Sequence, residues 1–91
     1  MVRVGGDERS SRQFKKTKRY AAELAALGAS VRKLRRLRRW TLEHAAERMS
    51  LDLKHLQKVE AGLLNITMVT LVRIADGLGV PLRALFAPSR R

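Results

Sequence analysis

The sequence contains no cysteine, which removes disulfide staples and any thiolate for metal, redox or nucleophilic chemistry. No run of about eighteen apolar residues offers a membrane-crossing helix, and MVRVGGDERSSRQFKKTKRY lacks the apolar stretch of a secretory signal. The expectation is a cytoplasmic protein, associated with the nucleoid, that uses no membrane partner. Aromatic residues are few, two Phe, one Trp and one Tyr, which leaves little on which single-stranded bases would stack. No segment alternates apolar and polar residues, so no sheet is expected. Acids are scarce as well, eight against twenty Lys and Arg. The resulting charge of +12 points to a polyanion as partner, nucleic acid ahead of an anionic membrane surface.

At 91 residues the chain supplies one small core and a tail. Its charge is unevenly spread. Residues 1–40 hold thirteen basic and three acidic residues, 41–62 three and four, and 63–91 four and one. The division expected is a flexible basic arm over 1–19, a domain over 20–87 and a tail over 88–91. Residues 1–13, rich in Gly, Ser and charge, have no apolar period and read as disordered. Tyr20, Leu24, Leu27, Val31 and Leu34 then recur at spacings of three and four, predicting a helix from near Tyr20 to Arg39 that Gly28 weakens.

Thr41 suits an N-cap, and Leu42, Ala45, Ala46 and Met49 form the inward stripe of a helix over 42–49. Asp52 suits the cap of a third helix over 53–61, with Leu56, Val59 and Leu63 inward and Gly62 as its stop. Thr67 caps a further helix with the stripe Met68, Leu71, Val72, Ile74, Ala75 and Leu78, ended by Gly79. Pro81 opens a fifth helix carrying Leu82, Leu85 and Phe86. The helices over 42–49 and 53–61 are joined only by Ser50, Leu51 and Asp52, too short a link for an antiparallel hairpin. They must cross steeply, as in a helix-turn-helix, with Leu53, Lys54, His55, Gln57 and Lys58 facing outward.

Here the sequence resembles the lambda-repressor-like family, the Cro and repressor type of phage and bacterial regulators. The likeness runs from Leu27 to Phe86 through LGASVRKLR, WTLEHAAERMSLDLKHLQKVEAG, LVRIADGLGV and PLRALF. It implies an all-α, compact five-helix domain, with a basic N-terminal arm or helical extension, that reads double-stranded DNA. It also implies an ion pair between Arg35 and Glu60 that ties the first helix to the recognition helix. Base contacts fall to Leu53, Lys54 and Lys58, with His55 and Gln57 beside them and Thr41 at the phosphate-facing start of the preceding helix. Asn65 and Thr67 are the polar residues of the segment behind the recognition helix, where family members place backbone contacts. Lys54 and Lys58 suit guanine O6 and N7, and Leu53 a thymine methyl. Two departures stand out. Leu42 replaces a frequent Gln, and Ser50 occupies the place of a turn glycine.

The basic arm, with Arg32, Lys33, Arg36, Arg38 and Arg39, is expected to supply phosphate contacts; its plain alternative is a solvated tail. Leu64 and Ile66 read equally as an exposed patch for a protein partner or as extra core. One recognition helix reads few base pairs, so a homodimer on paired half-sites is expected. The competing reading keeps the fold but makes it a protein-interaction module working through Leu64, Ile66 and the fifth helix. Enzyme chemistry finds no footing: His44 beside Glu43 and Glu47, and His55 beside Asp52, make no recognised ligand or acid-base set, and no cofactor or metal is called for.

Overall fold

The computed structural model describes residues 8–86. The expectations for the first seven residues and for the tail over 88–91 lie outside that range. Five α-helices follow in order, α1 (Glu8–Phe14), α2 (Lys18–Leu37), α3 (Leu42–Met49), α4 (Leu53–Glu60) and α5 (Met68–Leu78), and a 3-10 helix over Leu82–Phe86 closes the domain. There is no strand among the described residues.

Three helices begin in the same way. The hydroxyls of Thr17, Thr41 and Thr67 accept hydrogen bonds from the N–H of Tyr20, His44 and Thr70 at 3.2, 3.0 and 3.2 Å. α4 departs from this. Asp52 holds the extended cap conformation, but its side chain makes no cap bond. Four helices also end alike. The backbone turns left-handed at Arg39, Ser50, Gly62 and Gly79, and the next N–H returns to a carbonyl five residues earlier. These bonds are Trp40 to Arg35 at 3.3 Å, Leu51 to Ala46 and Leu63 to Lys58 at 2.9 Å, and Val80 to Ala75 at 3.0 Å.

Within the stretch expected to be disordered, Glu8–Phe14 is helical. A turn or two with no inward stripe leaves no period to find in the sequence, although Phe14 does meet Tyr20 edge-on at a centroid separation of 6.3 Å. α2 runs unbroken through Gly28, and the glycine has a packing cause. A Cβ there would sit 2.4 Å from the Val59 carbonyl oxygen and 2.6 Å from that of Glu60, so only glycine lets α2 lie directly on the backbone of α4. α2 stops at Leu37, short of Arg39, because Arg39 takes the left-handed turn.

The core gathers Val31 of α2, Ala45, Ala46 and Met49 of α3, Leu56 and Val59 of α4, Ile74, Ala75 and Leu78 of α5, and Leu85. Leu63 does not join it. Beyond the left-handed Gly62 it lies 71% exposed, and Leu64 and Ile66 take the places against the core, both half-buried. The stripe of α5 is likewise rotated from the expected one. Thr70 is buried, and Met68 and Val72 are exposed. A polar residue can occupy the inward face because its hydroxyl accepts a hydrogen bond from the Thr67 hydroxyl at 3.2 Å.

Candidate nucleic-acid interface

α4 is held from below. Leu56, Val59 and Glu60 are all buried, and they lie on the side that meets α2 and α3. Lys54, Gln57 and Lys58 are exposed on its other side, and their side chains make no hydrogen bond or ion pair within the described residues. Leu53 and His55 are half-buried at the margins of that face, so they line it rather than stand out from it. Lys54, His55 and Lys58 border a shallow open hollow with Leu64 from the following turn. Asn65 and Thr67 are exposed nearby in the chain, but the Thr67 hydroxyl is engaged twice with Thr70. Thr41 is exposed at the start of α3, its oxygen occupied by the His44 N–H.

The register of α4 is set by one carboxylate. Arg35 donates from Nε to Glu60 Oε2 at 2.7 Å and from Nη2 to Oε1 at 2.9 Å, a two-point contact between α2 and α4. Its third donor, Nη1, reaches the Trp40 carbonyl at 2.9 Å and so also ties down the link into α3. Arg32 Nε approaches Glu60 Oε1 at 3.4 Å from one turn earlier on α2. The hydrogen bond to Glu60 raises the pKa of Arg35, burial opposes the rise, and the charge of Glu60 adds to it. The guanidinium therefore stays charged across the working pH range.

Arg32 and Arg38, both expected to face phosphates, make contacts within the fold. Arg38 donates from Nη1 to the Leu34 carbonyl at 2.9 Å and from Nη2 to the Leu78 carbonyl at 2.7 Å, stitching α2 to the end of α5. Lys33, Arg36 and Arg39 remain exposed. Apolar periodicity assigns Trp40 no role, yet the structure gives it one. Its ring lies under the guanidinium groups of Arg38 at 5.8 Å and Arg48 at 5.2 Å, with His44 edge-on at 5.1 Å. The one signal for this in the sequence is a lone Trp at a helix boundary, directly after Arg38 and Arg39. Among the described residues no group of three or more His, Asp or Glu is placed to hold a metal ion. No helix there is long and apolar enough to cross a membrane.

This architecture has known counterparts. The family model described as a helix-turn-helix domain matches residues 26–87. Among solved structures, the restriction-modification controller protein C.AhdI from Aeromonas hydrophila superposes with a TM-score of 0.70 at 31% identity, over 71% of this chain and 98% of that one. An HTH_3 family transcriptional regulator from Vibrio cholerae gives 0.71 at 25% identity, over 74% of this chain but only 38% of its own. The hypothetical transcription factor NHTF from Neisseria gives 0.69 at 29% identity, over 75% and 79%. No curated protein matches the sequence. With the motif, the order of helices and the family match in agreement, the chain belongs to the helix-turn-helix domain family, of the lambda-repressor-like type.

Proposed function

We infer that this protein is a sequence-specific transcriptional regulator that binds double-stranded DNA by placing α4 in the major groove. One observation carries the reading: α4 is fixed from below by a buried ion pair and two apolar anchors, and it presents Lys54, Gln57 and Lys58 with no partner of their own. Lys54 and Lys58 are one turn apart and suited to guanine edges, and Leu53 at the margin suits a thymine methyl. Thr41, Asn65 and Thr67 flank the face as backbone contacts, and His55 and Gln57 adjust the fit. The basic arm over 1–19, with Lys33, Arg36 and Arg39, adds affinity that does not depend on sequence. The protein works as a homodimer on paired half-sites, at the nucleoid of the cytoplasm. Among repressor, controller and antitoxin roles, the likeness to a restriction-modification controller over nearly that protein's whole length supports the controller role.

Selection from a random duplex library tests this. Recovery of a palindromic motif is expected, and recovery of none, with binding that only weakens with salt, overturns it. A second reading draws on the exposed Phe86, which with Tyr20, Leu24, Leu27 and Leu85 borders an apolar groove between α2 and the last helix. A protein partner seated there would make the domain an interaction module, and that partner would still be bound by a chain lacking Lys54 and Lys58. Leu64 and Ile66, half-buried against the core, contribute little to such a surface.

A further inference from the structure

Four acids stand within residues 41–62, the stretch that carries the helix-turn-helix. Glu60 is buried in its pair with Arg35, and Glu43 and Glu47 lie on α3. Asp52 is placed differently. It stands directly ahead of Leu53 and Lys54, at the end of α4 whose residues address base edges in this motif. Its backbone is extended as an N-cap should be, yet its carboxylate makes no cap bond, whereas Thr17, Thr41 and Thr67 all use their side chains for one. Asp52 is exposed, and its side chain has no hydrogen-bond or ion-pair partner among the described residues. The helix dipole favours an acid here. A threonine, however, would cap α4 as it caps the other three helices without setting a negative charge against a polyanion.

We propose that Asp52 is a specificity-determining residue, its carboxylate accepting a hydrogen bond from the N4 amino group of a cytosine in the major groove. The inference rests on the reading of α4 as the groove-entering helix. The base follows from the chemistry. An ionised carboxylate only accepts, and in the major groove only cytosine and adenine offer an amino donor. Adenine sets its N7 acceptor beside that donor, where it opposes the second carboxylate oxygen. Cytosine carries no acceptor there, and guanine and thymine present only acceptors, which repel the carboxylate. Lys54 and Lys58 make the opposite selection, as donors suited to guanine. Discrimination by Asp52 is therefore largely exclusion. Its charge lowers affinity for duplex in general, and the hydrogen bond restores affinity only on the right pair, which widens the gap between specific and random sites.

The full chain, Asp52→Ala and Asp52→Asn are compared by selection from a random duplex library and by competition with single-base variants of the parent's site, with thermal melts alongside. The parent's motif should hold a cytosine at one position of each half-site, and replacing it should lower affinity about ten-fold, within the range of one good base contact. Asp52→Ala should lose the preference at that position alone and bind random duplex more tightly than the parent. Asp52→Asn should change the preferred base there from cytosine to adenine, since an amide both accepts from N6 and donates to N7. Affinity that rises equally on specific and random duplex, with the motif unchanged, would overturn the inference and reduce Asp52 to repulsion of phosphate. An unchanged motif and affinity with a lower melting temperature would also overturn it, leaving Asp52 a support of α4 alone. A parent that selects no motif would overturn the regulator reading together with this one, whereas a motif that neither variant alters overturns this one only. If Asp52→Ala is unfolded at the assay temperature, Asp52→Asn, which keeps an oxygen able to cap α4, decides.

Discussion

The two faces of α4 differ in nearly every physical respect, although only eight residues supply both. The inner face is closed. Gly28 brings α2 onto its backbone, Arg35 clamps Glu60, and Leu56 and Val59 are fully buried. The outer face has Lys54, Gln57 and Lys58, which are exposed and whose side chains make no hydrogen bond or ion pair within the described residues. Interleaved residues thus answer to different constraints, one set to the packing of this chain and the other to whatever the helix meets. Stability and recognition should therefore separate by substitution, residue by residue along the same helix.

The largest effects should come from the inner face. Glu60→Ala leaves the buried Arg35 guanidinium without its carboxylate and should destabilise by roughly 3–5 kcal/mol, enough to unfold a domain of this size; Arg35→Ala should act similarly. Gly28→Ala should be comparably severe, because its new methyl meets carbonyl oxygens that cannot swing aside as a side chain would. Thermal melts followed by circular dichroism measure all three. Melting within a degree or two of the parent would mean that α2 and α4 are not held as described.

How far the sequence foretells this contrast depends on whether a signal is local or comes from packing. The helix expected over 42–49 appears as Leu42–Met49 and that over 53–61 as Leu53–Glu60, since caps, stops and apolar spacing are written in neighbouring residues. Gly28 reads as a weakness in the sequence because its cause, the backbone of α4, lies more than thirty residues away in the chain. Hydrophobicity alone points Leu63 and Val72 inward, and the structure turns both out. A hydroxyl pair that lets Thr70 be buried, and a turn that hands the core to Leu64 and Ile66, leave no period to read. The outer face is legible as a set of residues, but not that Leu53 and His55 are half-buried at its edge. Nor does the charge pattern tell that Arg32 and Arg38 serve the fold, because a run of arginines on α2 looks the same whether it meets solvent or a carbonyl.

The outer face should respond in the opposite way. Lys54→Ala and Lys58→Ala should each cost about 1–3 kcal/mol on the preferred duplex and relax base choice at one position per half-site. Their melting temperatures should match the parent's. Competition binding with single-base variants reads this directly. An equal loss on specific and random duplex would reduce the lysines to phosphate contacts.

A smaller and less selective effect is expected from the basic arm. Cutting ahead of Thr17 keeps the cap of α2 and removes Arg3, Arg9, Arg12, Lys15 and Lys16 together with Asp7 and Glu8. Affinity for all duplexes should fall alike, and the slope of log affinity against log salt should decrease by about 0.9 for each phosphate that the arm no longer neutralises. The preferred site should stay the same. A slope that does not move would make the arm a solvated extension.

The smallest effect tests whether the link between the motif's two helices can be changed without touching either face of α4. Ser50 holds φ 56, a left-handed conformation, at the end of α3. The strain on a residue with a Cβ there is on the order of 1 kcal/mol, partly offset because glycine loses more freedom on folding. Ser50→Gly should therefore stabilise by a few tenths to about 1 kcal/mol. The bonds made by this residue come from its backbone, the Ser50 N–H to the Glu47 carbonyl at 3.2 Å and the Ser50 carbonyl to Arg73 Nη1 at 3.5 Å, so both survive the exchange. Gly79→Ala supplies the mirror experiment. It has the same left-handed turn with φ 72 and nothing within 4 Å of a new methyl, so any destabilisation there is conformational strain alone. The two variants should shift the melting temperature in opposite directions, and neither should alter base preference. A change in preference on Ser50→Gly would show that the turn, and not only the ion pair below it, sets how α4 is aimed.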